Sequence, residues 1–192
     1  MPAKVLPASS SGSKVTNRRT VVLRGTVLLA APALLAGCQG DLSPAFATWK
    51  QARKAVFELL FSPPKMLRDN AWTLAQLLQH LAQSIEFSIV GFPEMKPAWF
   101  RSSLGAAAWT LFNARGKMSH SLDEPIPGAP ALDAERSLKS SVQRLLDAMD
   151  AFAAHKGPLA PHFAYGPLSR EEYERAHLMH LANHWQQLVS KP

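Results

Sequence analysis

The feature that most restricts the fold is a set of apolar repeats with helical spacing, separated by proline and glycine. The clearest repeat lies in residues 138–153, where apolar side chains recur every three or four positions. Its members are Leu138, Val142, Leu145, Leu146, Met149, Phe152 and Ala153. Similar repeats occur near residues 44–61, 70–90, 98–115 and 170–190, and no stretch of useful length alternates as a strand would. This pattern predicts an all-α bundle of four long helices, with a shorter helix between the second and the fourth.

Capping residues indicate where the outer helices begin. Ser43 followed by Pro44 is typical of a helix start, because serine can cap the first free N–H groups and proline suits the first helical position. Ser169 with Glu172 has the spacing of a capping box, which predicts the start of the last helix.

Proline and glycine also predict the two long loops. They are concentrated in residues 116–131 and 157–168, so regular structure is excluded there. The second helix is expected to start near Asn70, and the fourth is expected to start at Asp133. A loop as long as 116–131 is typical of a functional or a disordered segment.

The first 37 residues have the composition of an export signal. Arg18-Arg19 closes a basic segment, and the apolar run that follows is too short to span a bilayer of roughly 30 Å. The arginine pair resembles a twin-arginine signal, which exports folded proteins. Leu35-Ala36-Gly37-Cys38 resembles a bacterial lipobox and implies acylation of Cys38; a plain cleaved signal with a chance cysteine is the alternative.

These motifs predict the organisation and location of the chain. Residues 1–37 would be the signal, 38–44 a tether and 45–190 the folded domain. The expected location is the periplasmic side of a bacterial cell envelope, with the outer membrane implied by Gln39 if the organism has one. The partner there is the lipid bilayer, held through acylated Cys38.

Cysteine content and net charge argue against a disulfide-stabilised protein and against a nucleic-acid-binding protein. Cys38 is the single cysteine, so the chain cannot form an intrachain disulfide. Five of the 21 basic residues lie in the first 37 positions, where no residue is acidic, so the remaining chain has a net charge of only +2. A nucleic-acid partner is therefore not expected, since it requires a basic face or stripe.

Histidines border the apolar repeats of the second and last helices. His180 and His184 are one turn apart on the last helix, and His80 lies beside the leucine stripe of the second. Three histidines with one open position are typical of a catalytic site for a transition metal such as zinc, copper, nickel or iron. His177 could pair with His180 instead of His184, and spacing alone leaves both choices open. The alternative is a histidine-rich face that is merely solvated or hydrogen-bonded.

Two segments resemble a known family. The first consists of Trp72-Thr73-Leu74 followed by His80-Leu81-Ala82. The second consists of Pro161-His162-Phe163-Ala164-Tyr165-Gly166 followed by His180-x-x-x-His184-x-x-Gln187. Together they resemble a domain-of-unknown-function family within the DinB-like superfamily. The resemblance implies a metal-binding four-helix bundle, with His80, His180 and His184 as the ligands and zinc or nickel as the favoured divalent transition metal.

Three functional hypotheses follow. The first is a metal-dependent hydrolase or transferase that acts on a small-molecule substrate. The second is a non-catalytic envelope lipoprotein that binds a metal, a small ligand or a protein partner, and the third is a helical scaffold with incidental histidines. Further side chains that could line a site are His177, His120, His162 and Tyr165. Glu86 lies on the far side of its helix from His80 and is a poor general base for this site.

Overall fold

The computed structural model describes residues 39–66 and 72–189 of the 192-residue chain. Cys38 and the predicted signal lie outside these residues, so the signal, the lipobox and the domain limits stay predictions. The described residues belong to one compact unit. None of their helices combines the length and the apolar character needed to cross a bilayer.

Helices account for most of the described chain, which confirms the all-α prediction. The helices are α1 (Trp49–Glu58), α2 (Leu74–Val90), α3 (Ala98–Phe100), α4 (Ala106–Arg115), α5 (Leu138–Ala154) and α6 (Arg170–Trp185). A 3₁₀ turn at Pro44–Phe46 precedes α1, and a π-helical turn at Arg101–Gly105 joins α3 to α4. The predicted third helix is therefore one segment that changes its winding.

Local caps explain where α1 and α2 begin. Ser43 makes no side-chain cap, and the chain forms only the 3₁₀ turn before Thr48, whose hydroxyl accepts from the N–H of Gln51 at 3.2 Å. Helix α1 thus begins five residues later than Pro44 suggested. Helix α2 begins after Thr73, which forms a reciprocal capping box with Gln76.

The other helix limits differ from the sequence expectation for similar reasons. Helix α5 begins after Ser137, because the hydroxyl of Ser137 caps it by accepting from the N–H of Ser140 at 3.2 Å. Asp133, the expected start, instead accepts from the N–H of Glu135 in the preceding turn. The capping box at Ser169 is confirmed for α6. This helix ends at Trp185 instead of near residue 190.

A short strand pair accounts for the early end of α6. Strand β1 (Lys65–Met66) pairs antiparallel with β2 (Leu188–Val189), so that Lys65 lies opposite Val189. The last helical repeat was expected to continue to about residue 190, but the backbone of Val189 instead pairs with a segment more than a hundred residues earlier. No local sequence pattern predicts a strand pairing of this kind.

Helices α1, α2, α5 and α6 surround a common core. Helix α2 packs against α5 and α6, and α1 packs against the same two helices. The fully buried side chains at their centre include Val56, Leu77, Leu78, Leu81, Leu145, Met149, Phe152 and Leu181. Burial of each large apolar side chain contributes about 1.5–3 kcal/mol, so this packing fixes how α2 and α6 face each other.

Glutamine side chains hold the long loop against α2. Gln79 exchanges two hydrogen bonds with the backbone of Asp133, at 2.8 and 3.0 Å, and Gln83 donates to the carbonyl of Pro130 at 2.9 Å. After α6, Gln187 donates to the carbonyl of Leu122 at 3.3 Å. These bonds place the 116–131 segment beside the histidine-bearing faces of α2 and α6.

Candidate metal centre

Three imidazoles converge between α2 and α6. His80 comes from α2, and His180 and His184 come from successive turns of α6. Each offers one nitrogen, and these nitrogens all lie within 4.8 Å of one another. The ring centroids are 5.1 Å apart for His80 and His180, 5.0 Å for His80 and His184, and 4.8 Å for His180 and His184.

The spacing of these nitrogens fits a shared cation. The Nε2 atoms of His80 and His180 lie 3.3 Å apart. Two nitrogen ligands with bonds of about 2.1 Å in a tetrahedral site are separated by about 3.4 Å. His80 and His184 are 3 % and 0 % exposed, whereas His180 is half-buried.

The hydrogen bonds leave free nitrogens in this cluster. Nδ1 of His180 lies 3.2 Å from the hydroxyl of Ser84 on α2, which can accept its proton and leave the Nε2 lone pair free. Among the described residues, neither ring nitrogen of His184 has a hydrogen-bond partner, nor does Nδ1 of His80. A buried polar atom without a partner costs about 1–3 kcal/mol, which a bound cation would offset. The residues present therefore fit a metal ion.

Burial keeps the three imidazoles neutral. It lowers the pKa of His80 to about 4 and that of His184 to about 2, and it places the pKa of His180 well below its usual value. Repulsion among the neighbouring rings adds to this effect. Neutral imidazole is the form that binds metals, so the cluster is ready for a cation at neutral pH.

Trp72 covers one side of the cluster. Its ring centroid lies 4.9 Å from that of His80 and 6.5 Å from that of His184. An indole at this position supplies an apolar wall that limits water on that side. The tryptophan immediately precedes the Thr73 cap, so the start of α2 sets its position.

A cavity of about 310 Å³ lies on another side. His80 and His180 contribute to its wall together with His120 from the 116–131 loop. The ring of His120 lies 5.0 Å from that of His180 and 5.3 Å from that of His184. His120, one of the side chains that the sequence offered as possible lining of a site, therefore lies beside the three clustered histidines.

His177 occupies a different environment from the three clustered histidines. Its Nε2 lies 3.2 Å from the hydroxyl of Ser88, and its ring packs against Phe152 and Tyr173 at 5.2 and 5.5 Å. Burial lowers its pKa to about 3. His177 reaches the cavity wall, but it is His184 that the structure groups with His80 and His180.

His162 and Tyr165 form another part of the cavity wall. Their rings stack with centroids 4.2 Å apart, and Nδ1 of His162 accepts from the N–H groups of Ala164 and Tyr165. These bonds give His162 a role in shaping its own loop. Burial raises the pKa of Tyr165 to about 12, so its hydroxyl keeps its proton at neutral pH.

Two features of the site were not predicted. Ser84 follows His80 by one turn, so helical spacing could have placed it on the same face, but serine alone carries no metal signal. The contact of Trp72 with His80 and His184 could not be predicted from the spacing of these residues in the sequence. Glu86 pairs with Arg144 at 2.7 Å, away from the cluster, in agreement with its predicted position.

Comparison with known proteins identifies the family of the chain. Neither the curated proteins nor the solved structures yield a match. The family described as "Protein of unknown function (DUF1569)" matches residues 42–191, which include α1 to α6 and all three clustered histidines. This protein therefore belongs to the DUF1569 family.

Proposed function

We propose that this protein is an exported, membrane-anchored metal-binding protein in which His80, His180 and His184 hold a divalent transition ion. The observation that carries this proposal is the convergence of three imidazoles, of which His80 and His184 are buried and His180 is half-buried. Neither nitrogen of His184 has a hydrogen-bond partner among the described residues. Imidazole ligands favour zinc or nickel over magnesium or calcium.

The same site suits a hydrolase or a transferase. Three protein ligands leave a position for water or substrate, and a bound divalent ion would lower the pKa of a water or thiol placed there. Trp72 restricts water on one side, and the cavity of about 310 Å³ is large enough for a small molecule. An exported protein lacks the cytosolic thiol pool, which favours water as the attacking group.

Membership of the DinB-like superfamily is part of the proposal. It is supported by the resemblance of the two histidine-bearing segments and by the packing of α1, α2, α5 and α6 around one core. The α3–α4 segment would be the shorter crossover helix of such a bundle.

The metal site is tested by the metal content of the full chain and its affinity for zinc in chelator competition. We expect one ion per chain in the wild type and at least about a hundredfold weaker binding in His184→Ala, because a chelating ligand is lost. His155→Ala is the matched control, since His155 lies at the end of α5 and bonds to the carbonyl of Pro158. Equal zinc affinity in His184→Ala and the control would contradict the proposed site.

Turnover separates the enzyme from a binding module. The zinc- or nickel-loaded protein is assayed with ester, amide and thiol substrates, with His180→Ala as the inactive reference. Turnover that is lost in this variant supports the hydrolase or transferase. Stoichiometric metal without turnover on any substrate class would support the non-catalytic envelope lipoprotein.

Export and anchoring are tested separately in bacterial cells. We expect the wild-type chain in the membrane fraction with a mass that includes acyl chains, and Cys38→Ser without that added mass. Replacement of Arg18-Arg19 by lysines should retain the protein in the cytoplasm if the twin-arginine route is used. An unacylated Cys38 would contradict the anchor without affecting the metal site.

A further inference from the structure

We propose that His120 is a fourth, exchangeable ligand of the metal held by the three helical histidines. This inference rests on the proposed function. The ring of His120 lies 5.0 and 5.3 Å from those of His180 and His184, which is about the spacing that the three helical rings keep among themselves. His120 comes from a loop and borders the cluster of three. Its nitrogens do not belong to the group that lies within 4.8 Å of one another, so coordination requires the ring of His120 to move towards the ion.

The hydrogen bond of His120 suits a ligand. Its Nδ1 lies 2.6 Å from the carbonyl of Ser121, which can only accept, so the proton must sit on Nδ1 of the neutral ring. Nε2 then carries the free lone pair. Metal-bound histidines usually donate their second nitrogen to a carbonyl or carboxylate in this way.

The 116–131 loop is held in place on both sides of His120 by buried side chains and a hydrogen bond. Met118 and Ile126 are 4 % and 5 % exposed, and Gln187 binds the carbonyl of Leu122. His120 itself is exposed and lines the cavity, in contrast to buried His80 and His184. A molecule that enters the cavity can therefore displace His120 without disturbing α2 or α6.

The test uses the full chain loaded with cobalt(II), whose visible spectrum reports coordination, and azide as a competing ligand. A ligand on a short loop competes at an effective concentration of roughly millimolar or more, so azide should bind at least about tenfold more tightly to His120→Ala than to the wild type. The His120→Ala spectrum should differ from that of the wild type, and added imidazole should restore it. His155→Ala should behave as the wild type, and His120→Gln provides a second variant.

The possible failures are distinguishable. Equal azide affinity and equal spectra in the cobalt-loaded wild type and both His120 variants would overturn the fourth ligand but leave the three-histidine site intact. A wild-type chain that binds no cobalt would overturn the three-histidine site itself, and this inference with it.

A second inference comes from the surface of α3 and α4. We infer that this face docks on an anionic lipid surface. Trp99, Leu104 and Leu111 are 65 %, 60 % and 45 % exposed. Leu104 and Leu111 are seven residues apart and lie on one helical stripe with Ala107 and Ala114, which are also exposed.

The positive charge of the α3–α4 segment suits an anionic lipid surface. Residues 95–122 contain four basic residues, Lys96, Arg101, Arg115 and Lys117, and no acidic one. This is unlike the rest of the chain after residue 37, where acidic residues outnumber basic ones. An apolar stripe flanked by basic side chains is typical of a helix that lies in a membrane interface.

The start of the described chain lies at the carboxyl end of α4. The N–H of Gly40 donates to the carbonyl of Asn113 near the end of α4, and Arg175 donates to the carbonyl of Gly40. Gly40 is two residues after Cys38, so an acylated Cys38 would bring the α4 end close to the bilayer. The lipid contact of the stripe would then add to the anchor.

Vesicle sedimentation of full chains that carry Cys38→Ser tests the face without acylation. We expect binding to vesicles with about 30 % phosphatidylglycerol, weakened by salt, and little binding to phosphatidylcholine alone. Leu104→Ser with Leu111→Ser should lower this binding several-fold, whereas Phe61→Ser, at a 73 % exposed position outside the stripe, should not. Equal binding by the stripe variant and the Phe61 control, or no binding to anionic vesicles, would overturn the inference.

Discussion

Two serines on α2 each pair with a different imidazole of α6. Ser84 lies 3.2 Å from Nδ1 of His180, and Ser88 lies 3.2 Å from Nε2 of His177. The hydroxyl of Ser88 donates to the carbonyl of Ile85 at 2.6 Å, so it must accept from His177. At the scale of single residues, Ser88 therefore sets which nitrogen of His177 carries the proton, and Ser84 can do the same for His180 by accepting from its Nδ1.

This pairing predicts different effects for two similar substitutions. Ser84→Ala removes the acceptor that orients His180, so we expect zinc affinity to fall by roughly 10- to 100-fold. Ser88→Ala removes the same group from His177 and should leave zinc affinity nearly unchanged. Chelator competition on both variants measures the difference; equal losses would show that the Ser84 contact does not orient a ligand.

Buried histidines outside the cluster predict acid sensitivity. The pKa of His177 and that of His162 are each lowered to about 3 by burial, whereas an imidazole in the unfolded chain titrates near 6.5. Below pH 6.5 the unfolded state binds protons that the folded state excludes, so stability is full above this pH and is lost as the pH falls towards 3. We expect the free energy of unfolding to fall by about 2 kcal/mol per such histidine between pH 7 and pH 5.

Urea unfolding of the metal-free protein at several pH values measures this loss. His177→Gln should flatten the pH dependence, even if it lowers stability at pH 7, because the titrating group is gone. A pH dependence as steep as that of the wild type would show that His177 does not contribute to it.

At the scale of elements, the start of α6 is fixed from two directions. Ser169 and Glu172 form the capping box, and Glu172 also accepts from the indole N–H of Trp109 on α4 at 3.1 Å. The helix that carries His180 and His184 is thus held at its first turn by its own cap and by a neighbouring helix. The local cap is visible in the sequence, whereas the contact with Trp109 depends on the fold.

The cap predicts a measurable contribution to stability. Ser169→Ala leaves N–H groups of the first turn without their partner and should destabilise the protein by about 1 kcal/mol. Ser103→Ala is the control, because its exposed hydroxyl only bonds back to the carbonyl of Trp99 and should change stability by less than about 0.5 kcal/mol. Urea unfolding compares the two; equal effects would contradict the capping role.

At the scale of the whole molecule, the metal site would join two helices that are distant in the chain. His80 lies on α2 and His184 on α6, so an ion bound to both would stabilise the folded state and not the unfolded one. Zinc at about 100 times its dissociation constant should add about 2.7 kcal/mol to the free energy of unfolding.

Thermal unfolding with zinc and with a chelator measures this linkage. The melting temperature of the wild type and of His155→Ala should rise with zinc, and that of His184→Ala should not. A rise of the same size in His184→Ala would mean that zinc stabilises the fold from another place.

The sequence by itself determined the local structure of this protein. Apolar spacing and capping residues predicted the helices, because both act within a few residues, and the spacing of His180 and His184 placed them on one face. Two helix limits differ from the sequence prediction by several residues. Helix α1 begins later because Thr48 provides the cap, and α6 ends earlier, at Trp185, because a distant strand pairs with the chain that follows.

Only the tertiary structure decided which side chains the histidine-bearing faces of α2 and α6 contact. Spacing left His177 and His184 as equal partners for His180, and the choice depends on the rotation of α6 against α2, which the packing of their leucines sets. The approach of His120 depends on a loop held by glutamine side chains from α2 and from the chain after α6. Such contacts join residues far apart in the chain, so no periodic pattern encodes them.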